Sequence, residues 1–176
     1  MPSEEETKAL IKDICKREAW EELANIDVSS IQNFSEMFKS SSIPSLEYIS
    51  NWDMSNATNL SLMFFDCRMI KSLEPLKYWN VSNVKNFSWM FTFCINVENP
   101  KGLENWDVSK GINFSGMFMF QNIKYSEDTE TLIKHWNNEN ADVIKISKGF
   151  GIPLNQEPQF TETFIHPRLS HFDEEQ

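Results

Sequence analysis

Aspartates at regular spacing are the first residues in this sequence that could do chemistry. Asp27, Asp53 and Asp107 recur along the chain, as a row of carboxylate ligands for calcium would. Asn80 stands in the same series, however, and no glycine-rich aspartate repeat accompanies it. An Asp or Asn followed two residues later by Ser favours a tight turn, because its short side chain accepts hydrogen bonds from nearby backbone. We therefore predict turns here and no metal site.

Cysteine and histidine give weaker signals. Cys67 and Cys94 could form a redox pair, but an odd total of three cysteines without metal-ligand spacing favours small buried side chains. His135, His166 and Asp173 are the loose candidates for an enzyme in the C-terminal segment, and none of them stands in a ligand motif. No phosphate-binding glycine loop or nucleophile elbow is present. We predict a non-enzymatic protein without a cofactor.

The strongest signal is an internal repeat. Met37, Met63, Met90 and Met117 follow one another at steps of 26, 27 and 27 residues. The surrounding strings are closely similar: DVSSIQNFSEMF at 27–38, DMSNATNLSLMF at 53–64, NVSNVKNFSWMF at 80–91 and DVSKGINFSGMF at 107–118. Units this short cannot bury an apolar face alone, so a constant period predicts that they stack on one another.

Each repeat is expected to contain a strand, a turn and a short helix. Residues 45–50 (SLEYIS) and 72–79 (SLEPLKYW) show partial apolar alternation, which predicts short strands. In each copy an asparagine stands where a helix N-cap would, followed by apolar residues on one helical face; these are Asn33, Asn59, Asn86 and Asn113. The fold class is therefore predicted to be an α/β repeat solenoid.

Equivalent large side chains should form ladders through the core of such a stack. Tryptophans would make one ladder, and the residue after the repeat asparagine a second. The Met-Phe pairs would make a third. The first two sets are Trp52, Trp79 and Trp106, and Phe34, Leu60, Phe87 and Phe114.

The motifs WDMSNATNLSLMF, WNVSNVKNFSWMF and WDVSKGINFSGMF resemble the WDVSNVTNMSxMF signature of BspA-type leucine-rich repeat proteins, the DUF285 family. The resemblance covers about residues 25 to 122. It implies a leucine-rich-repeat-like solenoid and, as in many relatives, a bacterial surface role in adhesion or host interaction. This chain differs from the signature at Ile26, which replaces Trp, and at Gly111, which replaces a larger apolar residue.

The segments outside the four repeats at 25–122 are expected to cap the stack. Residues 1–24 contain a predicted capping helix, since Ser3 and Glu6 have capping-box spacing and an apolar stripe follows. Residues 123–149 are predicted to cap the other end, and 150–176 to form an extended acidic tail. An end left uncapped would permit self-association.

Composition limits the classes of partner. The net charge of -10 and pI near 4.8 disfavour direct binding to nucleic acid phosphates. The first residues lack a basic segment followed by an apolar run, and no apolar stretch is long enough to span a bilayer. The chain as written is expected to be cytoplasmic, or surface-located or secreted if a leader was removed or a non-classical route is used.

Positions that the repeat leaves variable are the best candidates for binding. Large apolar residues at such positions could form an exposed strip that binds a protein partner, or a second face of the core. A protein-binding repeat scaffold is the leading functional hypothesis. The alternatives are a small acidic inhibitor, such as an immunity or anti-defence protein, and an enzyme in the C-terminal segment. The predicted partner-binding residues are Leu62, Phe65, Trp89, Phe93, Met119 and Phe120.

Overall fold

The structure is a computed structural model that describes residues 2–118, Leu132 and Trp136. The described residues contain one α-helix and three 3-10 helices, and much of the rest of the described chain consists of turns. The predicted C-terminal cap and acidic tail, apart from Leu132 and Trp136, lie outside the described residues. So do Met119, Phe120, His135, His166 and Asp173.

The N-terminal cap begins as the sequence predicts. Helix α1 spans Glu4–Arg17, and Ser3 and Glu6 form the reciprocal capping box, with the Glu6 N–H donating to Ser3 Oγ at 3.2 Å. Glutamates fill its first turn and basic residues its last, which suits the helix dipole. The helix ends at Arg17, its C-cap Glu18 has a left-handed φ of 55°, and a 3-10 helix (Trp20–Asn25) follows. The capping segment is therefore two short helices rather than one.

The predicted strands are absent, and the α/β solenoid is wrong as a fold class. Residues 45–50 and 72–79 instead contain 3-10 helices, Leu46–Ile49 and Glu74–Leu76. Ser45 caps the first by accepting a hydrogen bond from the Glu47 N–H at 3.2 Å, and a proline lies at the start of the second. The described residues contain no strand, only isolated parallel bridges that link Asn33, Asn59, Asn86 and Asn113 in sequence.

The prediction of a short helix after each repeat asparagine is also wrong. Asn33 Oδ1 accepts a hydrogen bond from the Ser35 N–H at 3.0 Å, but Glu36 then adopts a left-handed φ of 61°. A left-handed residue breaks the helix and starts a new turn. The same conformation recurs at the equivalent positions, Leu62, Trp89 and Gly116. Each segment therefore runs as consecutive tight turns.

Alternate amides of these turns connect one repeat to the next. Phe34 N donates to Asn59 O at 2.9 Å, while Met37 N donates within its own turn to Phe34 O at 3.2 Å. The inter-repeat bonds recur further along, from Leu60 N to Asn86 O at 2.9 Å and from Phe87 N to Asn113 O at 2.7 Å. Amides committed to a neighbouring repeat are not available for an α-helix, which is the physical reason for the turn structure.

The predicted side-chain ladders are present in the core. The phenylalanines of the Met-Phe pairs stack from repeat to repeat with ring centroids 5.6, 5.6 and 5.8 Å apart; these are Phe38, Phe64, Phe91 and Phe118. Trp79 and Trp106 stack at 6.4 Å with rings nearly parallel. The residues in the ladder after the repeat asparagine are fully buried: Phe34, Leu60, Phe87 and Phe114.

Trp136 is a further member of the tryptophan ladder, which the sequence repeat did not predict. Its ring stacks on Trp106 at 6.3 Å, and its indole N–H donates to Leu103 O at 3.1 Å. Trp79 and Trp106 make the same bond to Ile49 O and Leu76 O, at 3.0 and 2.9 Å. Each buried indole thus has a hydrogen-bond partner in the preceding unit, and the repeat pattern of this ladder extends past residue 122.

Candidate functional site

The recurring Asp and Asn side chains form turns. The Ser N–H two residues later donates to each of them, at 3.0 Å for Asp27, Asp53 and Asp107 and at 3.2 Å for Asn80. The described residues contain no group of three His, Cys, Asp or Glu side chains placed to hold a metal ion. The turn interpretation of this row is confirmed.

These turns make the stability of the folded chain decrease at acidic pH. Hydrogen bonds from the Ser55 hydroxyl and N–H lower the pKa of Asp53 below its ordinary value of 3.8, and Ser109 does the same for Asp107. A depressed pKa means that the folded chain favours the charged form. The resulting stability is present above pH 4 or so and is lost as the pH falls through the lower folded pKa.

We expect replacement of Asp53 and Asp107 by Asn to flatten this acid dependence with little loss at pH 7. Asn80 already forms the same turn without a charge, so the amide fits. Thermal unfolding midpoints measured between pH 2.5 and 7 check the prediction, with Glu98→Gln, at an exposed carboxylate outside the row of turns, as the control. An unchanged acid slope in the double variant would contradict it.

The cysteines are placed as small core residues. Cys67 Sγ donates to Phe38 O at 2.9 Å and Cys94 Sγ donates to Phe64 O at 3.1 Å, so each thiol bonds the preceding repeat. Burial raises the pKa of Cys67 to about 12 and that of Cys94 well above its ordinary value. Thiols held neutral in this way are poor nucleophiles, which favours the structural interpretation over the redox one.

Four of the six predicted binding residues are described, and they come together in one cluster outside the main core. We call it the side cluster: Leu62, Phe65, Phe93 and Trp89. Leu62, Phe65 and Phe93 are only 7%, 1% and 8% exposed, so the expected strip of exposed apolar side chains is not found at these three positions. Trp89 is half-buried. The side cluster is thus a small second core with a tryptophan at its surface.

Aromatic packing fixes the side cluster. The rings of Phe65 and Phe93 meet edge to face with centroids 5.4 Å apart, a favoured geometry for aromatic pairs. Lys39 Nζ lies over the Phe65 ring at 6.0 Å. Phe93 and Asp66 occupy the same slot in successive repeats and share a left-handed backbone. The repeat backbone therefore sets the direction in which each of these side chains leaves the chain.

Trp89 is seated on Gly116. A Cβ atom added at Gly116 would lie 2.6 Å from Cε3 of the indole, closer than a real contact allows. Thr92, fully buried beside it, donates from Oγ1 to Gly116 O at 2.6 Å. The indole thus covers the slot that a side chain of the fourth repeat would fill. The sequence signal for this contact is that repeat four has Gly116 at the position where repeat three has Trp89.

A salt bridge lies next to the side cluster. Arg68 Nε donates to Asp66 Oδ1 at 2.6 Å, and the Asp66 side chain is almost fully buried while that of Arg68 is half exposed. No catalytic arrangement of nucleophile, base and acid occurs among these side chains. The chemistry that the site offers is apolar and aromatic contact bordered by a few charges.

Helix α1 is the longest helix in the described part of the chain. Neither α1 nor any other helix there has the length and apolar character that a bilayer crossing requires.

The inter-repeat hydrogen bonds, the stacked aromatic ladders and the side cluster define the class: a repeat protein with a capped N-terminal end and an aromatic cluster on one side. A family model described as "Mycoplasma protein of unknown function, DUF285" matches residues 8–136 and, in a second match, 99–150. The chain therefore belongs to the DUF285 family. No curated protein and no solved structure matches it.

Proposed function

We propose that this protein is a non-catalytic repeat scaffold that binds a protein partner through the side cluster. The observation that carries the proposal is that the repeat does not require apolar residues at these positions. In the first repeat, Glu36 fills the slot of Leu62 and Trp89, Lys39 that of Phe65, and Ser40 that of Phe93. The second and third repeats therefore form an apolar cluster on one side of the stack that the polar first repeat lacks.

The packing of the side cluster supports a role for Trp89 as the anchor. Its ring rests on Gly116, and its backbone φ of 59° is fixed by the repeat. An indole held in this way loses little conformational entropy on binding, and tryptophan is enriched among residues that dominate binding energy. The buried Leu62, Phe65 and Phe93 form its rigid support.

Charge supports a preference for a basic partner. The chain carries 26 acidic and 16 basic residues, and opposite net charge speeds association and suppresses wrong pairings. Anchor contacts through Trp89 would then provide most of the affinity, and the surface charge would mainly set the association rate.

The experiment replaces Trp89 with Glu, the residue that the equivalent slot already carries at Glu36. Partners are captured with tagged protein from native-source and host-cell lysates, identified by mass spectrometry and re-tested as purified proteins by calorimetry. We expect Trp89→Glu to weaken binding at least about tenfold, as the loss of a central anchor does.

The matched control is Tyr78→Ala, because Tyr78 is also aromatic, is 80% exposed and lies outside the side cluster. The Tyr78→Ala variant should bind the captured partner with the same affinity as the unmodified chain. Equal affinity for all three proteins, with the fold intact by circular dichroism, would refute the side cluster as the binding site.

A further inference from the structure

The ion pair of Asp66 and Arg68 belongs to the second repeat alone. The two residues stand three and five positions after the repeat methionine, Met63. In the first, third and fourth repeats the same positions hold uncharged residues: Ser40, Phe93 and Phe120 in the slot of Asp66, and Ser42, Ile95 and Asn122 in the slot of Arg68. The period of the repeat therefore explains neither member of the pair.

Folding does not require a charge in this slot. Ser40, Asp66 and Phe93 share one left-handed backbone conformation, with φ of 57°, 59° and 62°, so an uncharged side chain fits it equally well. The Asp66 side chain is only 6% exposed, and the cost of taking a carboxylate out of water commonly cancels the attraction within a buried ion pair. The pair is therefore a candidate for a role in binding rather than in stability.

Two contacts hold Arg68 in position. Its Nε donates to Asp66 Oδ1 at 2.6 Å, and its backbone oxygen accepts a hydrogen bond from Asn96 Nδ2 of the third repeat. The Arg68 side chain is nevertheless 53% exposed. Because the bond to Asp66 engages Nε, the terminal nitrogens Nη1 and Nη2 form the edge of the guanidinium that can bind a carboxylate through two parallel hydrogen bonds.

The ion pair borders the side cluster. Asp66 directly follows Phe65, and the Asp66 N–H donates at 2.8 Å to the oxygen of Thr92, the residue before Phe93. Two members of the side cluster thus flank the carboxylate that orients Arg68. A bound segment that covers the side cluster therefore passes close to this guanidinium.

We propose that Arg68 determines the specificity of the side cluster by binding an Asp or Glu side chain of the partner, close to an apolar side chain that packs against Trp89. The inference rests on the proposed function and adds the chemistry of the segment that binds. The net charge of the chain guides the encounter at longer range, whereas Arg68 acts at hydrogen-bond distance. A partner that is basic overall can therefore present a single acidic side chain here.

The first test selects random phage-displayed peptides on the immobilised chain, with Trp89→Glu as the counter-selection. Peptides that depend on Trp89 should carry an Asp or Glu within a few residues of an apolar residue, more often than the unselected library does. The matched variant is Asp66→Ser, Arg68→Ser, which copies the first repeat and removes both charges together, so that no buried carboxylate loses its partner. On this variant the enrichment of acidic residues should disappear while the apolar residues remain.

The second test measures one selected peptide by calorimetry, together with the same peptide whose acidic residue is changed to the matching amide. On the unmodified chain the amide should bind at least about tenfold more weakly, as the loss of one partner of a hydrogen-bonded charge pair does. On Asp66→Ser, Arg68→Ser the two peptides should bind alike. Arg68→Lys should also weaken the acidic peptide, because an ammonium keeps the charge but lacks the planar fork.

Lys39→Gln is the control for charge alone. Lys39 is the other cation at the side cluster, but its Nζ already donates to Glu36 Oε2 at 2.9 Å. Its replacement should leave the affinity for the acidic peptide unchanged.

Loss of the acid preference in the matched variant supports the inference. It is overturned, with the proposed function left standing, if peptides that depend on Trp89 show no enrichment of acidic residues, or if the amide binds as weakly relative to the acid on the matched variant as on the unmodified chain. Failure to select any peptide that depends on Trp89 would overturn both. If circular dichroism shows that the matched variant does not fold, equal affinity of Arg68→Lys and Lys39→Gln for the acidic peptide overturns the inference.

Discussion

Truncation of Phe91 to alanine is expected to lower the free energy of unfolding by about 3–5 kcal/mol, the range for a phenylalanine removed from a packed core. Phe91 is fully buried in the middle of its ladder, 5.6 Å from Phe64 and 5.8 Å from Phe118 between ring centroids. Both neighbouring rings lose a stacking partner, and because the repeat backbones are tied together by hydrogen bonds, the gap cannot close by a small shift. A domain of marginal stability loses a large share of its total in this way.

Urea denaturation followed by circular dichroism measures this change. Phe91→Leu keeps most of the volume and should cost less than about half as much. Tyr78→Ala, at an exposed aromatic, should stay within about 0.5 kcal/mol of the unmodified chain. If Phe91→Ala were no more destabilising than Tyr78→Ala, the stacked ladder would not be the core of this protein.

A single methyl group at Gly102 is expected to destabilise the chain by about 2–5 kcal/mol, from backbone strain together with overpacking. Gly102 has φ of 104°, a conformation that residues with a Cβ rarely adopt. A Cβ there would lie 2.5 Å from both Glu74 Cα and Leu73 O, which are backbone atoms of the preceding repeat. Since backbone atoms cannot rotate away, the two repeats would have to separate locally.

Gly111→Ala is the matched control for this prediction. The added Cβ would approach the ring of Phe114 at 2.3 Å, but that contact is with a side chain, and the other repeats carry Ile31, Ala57 and Val84 in this slot. Three repeats carry a side chain in this slot, so a shift of the buried Phe114 ring can accommodate one at position 111, and Gly111→Ala should cost less than Gly102→Ala. Thermal unfolding midpoints should fall further for Gly102→Ala than for Gly111→Ala; equal shifts would contradict the backbone explanation.

The candidate site was only partly predictable. One repeat position carries Glu36, Leu62 and Trp89 in the first three repeats, which indicates that the repeat does not require an apolar residue there. The predicted binding residues that the structure describes do form one cluster. Their burial could not be predicted, because it depends on how side chains from successive repeats lie across one another. The seat of Trp89 on Gly116 shows this, since it joins two residues 27 positions apart.

The sequence by itself determined the features that depend on short-range chemistry and on the period. The Asp-x-Ser turns, the capping box at Ser3 and Glu6, and the stacked ladders follow from local hydrogen bonding and from repetition at 26 or 27 residues. The family membership follows from the same motif. Each of these is a property of a few neighbouring residues or of their recurrence.

Only the tertiary structure decided the backbone between those features. Short apolar segments suit a strand, a 3-10 helix or a turn almost equally well, so local propensity cannot choose between them. The choice is made by amides such as Phe34 N and Leu60 N, which bond a carbonyl one repeat away, and by left-handed residues such as Glu36 that direct alternate amides outward. Because these bonds join residues about one repeat apart, they exist only after the repeats have stacked.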